Sequence, residues 1–135
     1  MIQFTVDGEP KGKARPRFTR YSTPYTPETT VSYEERIRLE FWKIYGVPEP
    51  EKGVSYRLDI TAVFGVPESA SKKKRSQMLS GEIVPVKKPD VDNIAKIVAD
   101  ALNGVVWHDD AQITALTVRK KYGEKPCVII TAEQV

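Results

Sequence analysis

Apolar and polar residues alternate most regularly over 55–66, SYRLDITAVFGV. Tyr56, Leu58, Ile60, Ala62 and Phe64 fall on one side, and Arg57, Asp59 and Thr61 on the other. A period of two predicts a strand with one buried face, and Pro67 ends it. IQFTV near the start reads as a first strand. QITALTVRKKY and CVIITAE read as two later strands joined as a β-hairpin. The period lengthens over 28–45, ETTVSYEERIRLEFWKIY, where Val31, Glu34–Glu35, Ile37–Arg38, Phe41–Trp42 and Tyr45 recur at helical spacing. Glu34 and Arg38 are placed to pair across one turn. Gly46 and Pro48 close this helix. A second main helix is predicted over 92–103, with Ile94, Ile97–Val98 and Ala101–Leu102 as its core face and Gly104 at its left-handed end. VVW then reads as a brief return strand and HDD as a turn. ESASKKKRSQMLSG is a short polar helix or loop closed by Gly81. EIVPVKKPD, with Pro85 and Pro89, is an edge strand or connector. This order predicts an α+β single small domain, a mixed β-sheet packed against two main helices.

Composition narrows the class without choosing a function. With 135 residues, 40% of them apolar and 29% charged, the chain is long enough for one hydrophobic core. No apolar run approaches a membrane span, and MIQFTVDGEP lacks the charged and apolar regions of a signal peptide. The lone Cys127 excludes an intrachain disulfide, so a cytoplasmic, reducing location is expected. A net charge of +3 is too small to imply a polyanion partner, but its distribution is uneven. Lys11, Lys13, Arg15, Arg17 and Arg20 lie in a proline-rich loop over 8–27, interleaved with Phe18, Tyr21 and Tyr25. Lys72, Lys73, Lys74 and Arg75 form a second run, and Arg119, Lys120 and Lys121 a third. Such runs are either solvated surface or a footprint for phosphates, with the rings either anchoring the loop or packing on bases.

Against this basic background, KPDVDNIAKIVADALNGVVWHDDAQ concentrates Asp90 with Asp92 and Asp109 with Asp110. Pro89 delivers Asp90 onto a helix N-terminus. Asp92, Lys96, Asp100 and Asn103 share one polar helix face. The return strand is expected to carry Asp109–Asp110 back toward the Asp90 end. Clustered carboxylates repel unless a cation relieves them, and hard oxygen donors that leave open positions suit Mg²⁺, with Mn²⁺ as a substitute. A metal so held polarises a phosphate or activates a water. Lys96 either meets charge on the transferring phosphate or forms an ordinary ion pair one turn from Asp92. Asp92 as a helix cap and Asp109–Asp110 as turn residues are the structural alternatives. Asp100 is expected to face solvent or brace Lys96, and Asn93 to orient a carboxylate. A single histidine, His108, rules out a histidine-based zinc site. It reads as a turn residue or, less simply, a proton-transfer group. Phosphate-binding glycine loops, nucleophile elbows and dinucleotide fingerprints are missing.

The stretch KPDVDNIAKIVADALNGVVWHDDAQI resembles the signature of the RusA family of Holliday junction resolvases, the crossover junction endodeoxyribonucleases. That signature is Lys-Pro-Asp-x-Asp-Asn-Leu-x-Lys, then Asp-Ala-Leu-Asn-Gly, then Asp-Asp-x-Gln, with Ile94 here in place of the leucine. GEPKGKARPRFTR and YTPETTVSYEE are similar to the family's opening, so the resemblance spans nearly the whole chain. It implies a homodimeric, Mg²⁺-dependent endonuclease that nicks two opposing strands of four-way junction DNA symmetrically, in recombination and repair. It implies Asp90, Asp92 and Asp110 as metal ligands and Lys96 as the essential lysine, with Asp109 adjacent in a less defined role. A phage or prophage origin fits the same resemblance. A junction- or fork-binding module without nuclease activity, and a nuclease with little structural preference, are the rival readings. A two-fold junction suits a two-fold dimer, and its recognition is expected to rest on shape.

Overall fold

In the computed structural model, residues 1–14 and 28–135 are described. Arg15, Arg17, Arg20, Phe18, Tyr21 and Tyr25, most of the side chains that gave the 8–27 loop its character, lie outside them. The described residues form β1 (Ile2–Asp7), α1 (Glu28–Tyr45), β2 (Tyr56–Gly65), α2 (Lys72–Ser80), α3 (Val91–Ala101), a 3₁₀ turn (Asp110–Gln112), β3 (Ile113–Gly123) and β4 (Cys127–Gln134). They make one mixed four-stranded sheet in the order β1-β4-β2-β3, a small α+β domain as the pattern predicts. None of the described helices is long and apolar enough to cross a membrane.

Alternation in β2 places Tyr56, Leu58, Ile60, Ala62 and Phe64 in the core. Phe4 and Val6 of β1 and Val128, Ile130 and Ala132 of β4 join them on the same face of the sheet. Over that face lie α1, through Tyr33, Ile37 and Phe41, and α3, through Ile94, Ile97, Val98 and Ala101. The buried stripe of α1 is rotated slightly from the predicted one: Thr30 is buried and Val31 is exposed. Glu34 does not pair with Arg38. It turns inward to Lys13, while Arg38 donates to the Ala101 carbonyl at 3.4 Å. The polar stretch after β2 does form a helix. Ser71 caps it by accepting from the Lys74 N–H at 3.2 Å, and Gly81 ends it in the left-handed region at φ 91°.

Of the two readings of 82–90, the connector holds and the edge strand does not. Two expectations fail. VVW forms no return strand: Val105, Val106 and Trp107 are buried, and the chain turns tightly there through Val105 and Val106 N–H bonds to the Leu102 carbonyl. Apolar side chains at three consecutive positions can all be buried only where the chain folds around a core end rather than running along a one-faced sheet. Finally, β3 and β4 are not a hairpin. β3 pairs parallel to β2, and β4 lies antiparallel between β1 and β2. The short link over 124–126 steps across the end of β2, and Gly65 is where Pro126 passes, 3.7 Å from the position of a Cβ.

Candidate active site

Asp90 and Asp92 sit at the N-terminus of α3, where the helix dipole favours negative charge. Asp90 is the N-cap residue, with its carbonyl accepting from the Ile94 N–H at 3.0 Å, but its carboxylate makes no capping bond. Among the described residues, the Asp92 carboxylate accepts only the Asn93 N–H, at 3.0 Å. Both are exposed, and neither has an ion-pair partner among the described residues. The chain leaving β1 crosses this helix end. The Lys13 N–H donates to the Asn93 carbonyl at 2.8 Å. Gly12 lies so close that a Cβ would stand 2.8 Å from Pro89 Cβ and 2.9 Å from Asn93 Cβ. The crossing leaves an open cleft whose walls include Lys11, Thr29, Lys88, Asp90 and Asn93. Carboxylate oxygens and lysines face one space there.

Lys13 was expected to contact DNA, yet its ammonium lies 2.6 Å from Glu34 and 3.3 Å from Asp100, with its side chain only 20% exposed. Burial alone would lower its pKa, but the hydrogen bonds and charges of Glu34 and Asp100 outweigh this and hold it above the usual lysine range. It therefore fastens the arm to both helices. Asp100 also accepts from Lys96 at 3.2 Å, so it braces both lysines. The Lys96 pair runs toward Asp100 rather than Asp92, and its ammonium end stays exposed.

Asp109 and Asp110 occupy the turn before β3. Trp107, fully buried with its indole N–H on the Ala99 carbonyl at 3.3 Å, anchors one side. Gln112 holds the other. Its amide donates to the Glu51 and Val54 carbonyls, both at 2.9 Å, and its oxygen accepts the His108 and Asp109 N–H groups at 2.9 and 3.1 Å. Gln112 is a positioning residue to which the sequence reading gave no task. The one available signal was its place three residues after Asp109. Lys88 was likewise passed over, hidden beside the aspartates in KKPD.

The two aspartate pairs do not meet within one protomer. Asp110 precedes Ile113, which pairs with Tyr56 at the start of β2. The Lys87–Asp90 segment is tied to the other end: the Lys120 ammonium donates to the Lys87 carbonyl, and both lysines lie over the Phe64 ring, at 5.3 and 5.6 Å. From Ile113 to Lys120 a strand advances roughly 23 Å at about 3.3 Å per residue. The expected return toward Asp90 fails because VVW folds into the far end of the core. Among the described residues no three Asp, Glu, His or Cys side chains gather closely enough to hold a metal. Asp90 and Asp92 have the right donor chemistry for a hard cation, in a set of two.

The cationic runs differ in placement. Lys72, Lys73, Lys74 and Arg75 fill the first turn of α2, all exposed, and among the described residues Arg75 alone of the four has an ion-pair partner, Glu124 at 3.9 Å. Cations at a helix N-terminus oppose its dipole, so local stability does not explain them. The third run is split by strand alternation: Lys120 turns to the helix face, while Arg119 and Lys121 face away from it. Cys127 contributes nothing to either end. Burial and Asp7 push its thiol pKa up.

The chain belongs to the RusA endodeoxyribonuclease family, which it matches over residues 7–133. It is also similar to the uncharacterized protein YqaN of Bacillus subtilis (strain 168). The two are 33% identical over an alignment of 143 residues that covers 99% of this chain and 96% of that protein. Family membership supports an endonuclease, a Holliday junction resolvase acting on junction DNA.

Proposed function

We propose that this chain is a Mg²⁺-dependent endodeoxyribonuclease that resolves Holliday junctions by paired, symmetric nicking as a homodimer. The observation that carries the reading is the cleft where the Asp90 carboxylate, without an ion-pair partner among the described residues, stands with Lys11 and Lys88, with Asp92 exposed in the first turn of α3 behind it, in a chain that matches the family almost throughout. Because Asp110 lies at the far end of its own protomer, the metal seat is a shared one: Asp90 and Asp92 from one protomer, Asp110 from the partner subunit. Bound there, Mg²⁺ or Mn²⁺ would supply Lewis-acid polarisation of the scissile phosphate and a more acidic water.

The remaining chemistry belongs to the chain. Lys11 and Lys88 draw the phosphodiester into the cleft by charge. Lys96 sits one turn from Asp92, and its pair with Asp100 is exposed on the lysine side, 58%. Such a pair is worth only a few tenths of a kcal/mol, so Lys96 turns toward a phosphate oxygen at little cost and meets charge developing on it. Asp100 and Lys13 hold the helix and the arm in register meanwhile. The exposed lysines of α2 add phosphate contacts remote from the cut.

The test is cleavage of a synthetic four-way junction with Mg²⁺ and with EDTA. Asp90→Asn and Asp110→Asn are each expected to abolish nicking while binding persists or tightens, since negative charge facing phosphate is lost. Undiminished cutting by either variant refutes the metal assignment. An absence of product with both Mg²⁺ and Mn²⁺ would instead favour a junction-binding module. Equal cutting of linear duplex at the same salt would favour a nuclease without structural preference.

A further inference from the structure

Lys13 and Lys96 share one carboxylate. Asp100 accepts from Lys96 on Oδ1 at 3.2 Å and faces the Lys13 ammonium with Oδ2 at 3.3 Å. Lys13 is held a second time, by Glu34 Oε1 at 2.6 Å. The side chains of Lys13, Glu34 and Asp100 are 20%, 11% and 19% exposed, whereas that of Lys96 is 58% exposed. The cluster balances two ammonium groups against two carboxylates, and only one of the four groups is well hydrated. Arg38, one turn on from Glu34, is turned to the Ala101 carbonyl and pairs with neither carboxylate among the described residues. Lys13 is delivered by the arm after β1. That arm is fixed to α3 by the Lys13 N–H on the Asn93 carbonyl and by the close passage of Gly12 over Pro89 and Asn93. Backbone packing, and not the ion pair alone, therefore sets where the Lys13 ammonium stands.

We propose that Lys13 is a positioning residue for Lys96: by occupying the second oxygen of Asp100, it keeps that carboxylate compensated when Lys96 leaves for a phosphate oxygen. This deepens the proposed function and rests on it. A carboxylate only 19% exposed is strongly disfavoured without a partner, because water reaches it poorly. With Lys13 in place, departure of Lys96 leaves one cation between Glu34 and Asp100, touching both. Without Lys13, two poorly hydrated carboxylates depend on Lys96 alone, and a weak exposed pair becomes a trap. Lys13 thus has a task in the reaction although its ammonium points away from solvent. The exchange also depends on the arm. An arm lifted from α3 withdraws Lys13 and pins Lys96, which turns the cleft off while every aspartate of the metal seat stays in place.

Trace acetylation of the full chain by acetic anhydride, read by mass spectrometry without DNA or metal, reports how tightly Lys96 is held and does not depend on nuclease activity. The first variant is Lys13→Met with Glu34→Gln, which removes one charge of each sign and leaves Asp100 to Lys96 alone. Lys96 acetylation and single-turnover junction cleavage at saturating enzyme are each expected to slow by about fivefold, the worth of one partly exposed ion pair, with junction affinity little changed. Adding Asp100→Asn removes the trap and is expected to restore both rates. A purely structural role predicts the reverse, because a third substitution in the same cluster loosens the arm further. Circular dichroism checks the fold of each variant. Should the pair fail to fold, Lys13→Gln keeps a donor for both carboxylates and is expected to slow Lys96 acetylation in the same direction. Unchanged Lys96 acetylation in a folded Lys13 variant would overturn the proposal. So would a triple variant that cuts no faster than the double when the parent cuts. Acetylation that follows the expected order in a chain that never cuts junctions would count against the nuclease reading and leave the exchange at Asp100 standing.

Discussion

Gly12→Ala tests whether the arm after β1 holds the candidate site together. The new methyl would stand 2.8 Å from Pro89 Cβ and 2.9 Å from Asn93 Cβ, where carbon atoms rest at about 3.5–4.0 Å. Neither neighbour yields easily, since one is a proline ring and the other is on a helix. The arm must therefore retreat by roughly 1 Å, a displacement set by that same contact distance. Overpacking of this size costs about 1–3 kcal/mol. Escape is little cheaper: it stretches the 2.8 Å bond from the Lys13 N–H to Asn93, worth about 1 kcal/mol, and loosens Lys13 from Glu34 and Asp100. Those side chains are 20%, 11% and 19% exposed, so water replaces their contacts poorly. A loss of about 2 kcal/mol is expected, lowering the melting midpoint by roughly 5–10 °C for a chain of this size. Urea unfolding followed by tryptophan fluorescence reads it, with the buried Trp107 as a reporter. Junction cleavage is expected to fall as well, because Pro89 and Asp90 move with the arm. Lys13→Met isolates the ion-pair share. A Gly12→Ala protein with unchanged midpoint and activity would refute the reasoning.

Gln112→Ala is expected to cost about 2 kcal/mol in urea titrations, because four hydrogen bonds of about 0.5 kcal/mol each are lost at a mostly solvated site. Cleavage is expected to fall further than stability does, and an activity change no larger than the stability change would deny it a positioning role. Replacing Lys72, Lys73 and Lys74 by Gln is expected to leave or raise helix stability and to reduce the slope of log affinity against log salt by about 2–3. An unchanged slope places those lysines away from DNA. The Lys13 pairing gives a pH signature. Its pKa is raised above the ordinary 10.5 in the folded chain, so its contribution is complete below that pH and declines as pH rises through the folded value. The stability gap between the parent and Lys13→Met is expected to stay constant from pH 7 to 10 and to narrow above, and a gap that widened there would contradict the sign.

Much of this was legible in the chain because local patterns carried it. The alternation of 56–64, Ser71 and Gly81 bounding a helix, and the apolar face of 94–102 each depend on near neighbours. The family likeness rested on a motif read without any coordinates. What escaped was set by distant partners. Nothing within CVIITAE says that it inserts between the first two strands instead of folding back on its predecessor. The inward turn of Glu34 depends on Lys13, twenty-one residues away. The VVW segment satisfied a strand pattern as well as a buried corner. Because that corner went unseen, the sequence placed Asp109–Asp110 at the wrong end of its own protomer.

The position of β4 has an implication for how the chain acquires its shape. Cys127–Gln134 is the strand that joins β1 to β2, so a chain ending near Tyr122 would possess helices, a β2–β3 pair and a first strand with nothing to bind. Assembly must wait for the sheet's last strand in chain order to slot into the middle, a non-local closure of the kind that slows folding. Until then the Phe4 and Val6 surface stays open to water, and shortening the chain from that side should abolish cooperative unfolding altogether rather than merely fray an edge.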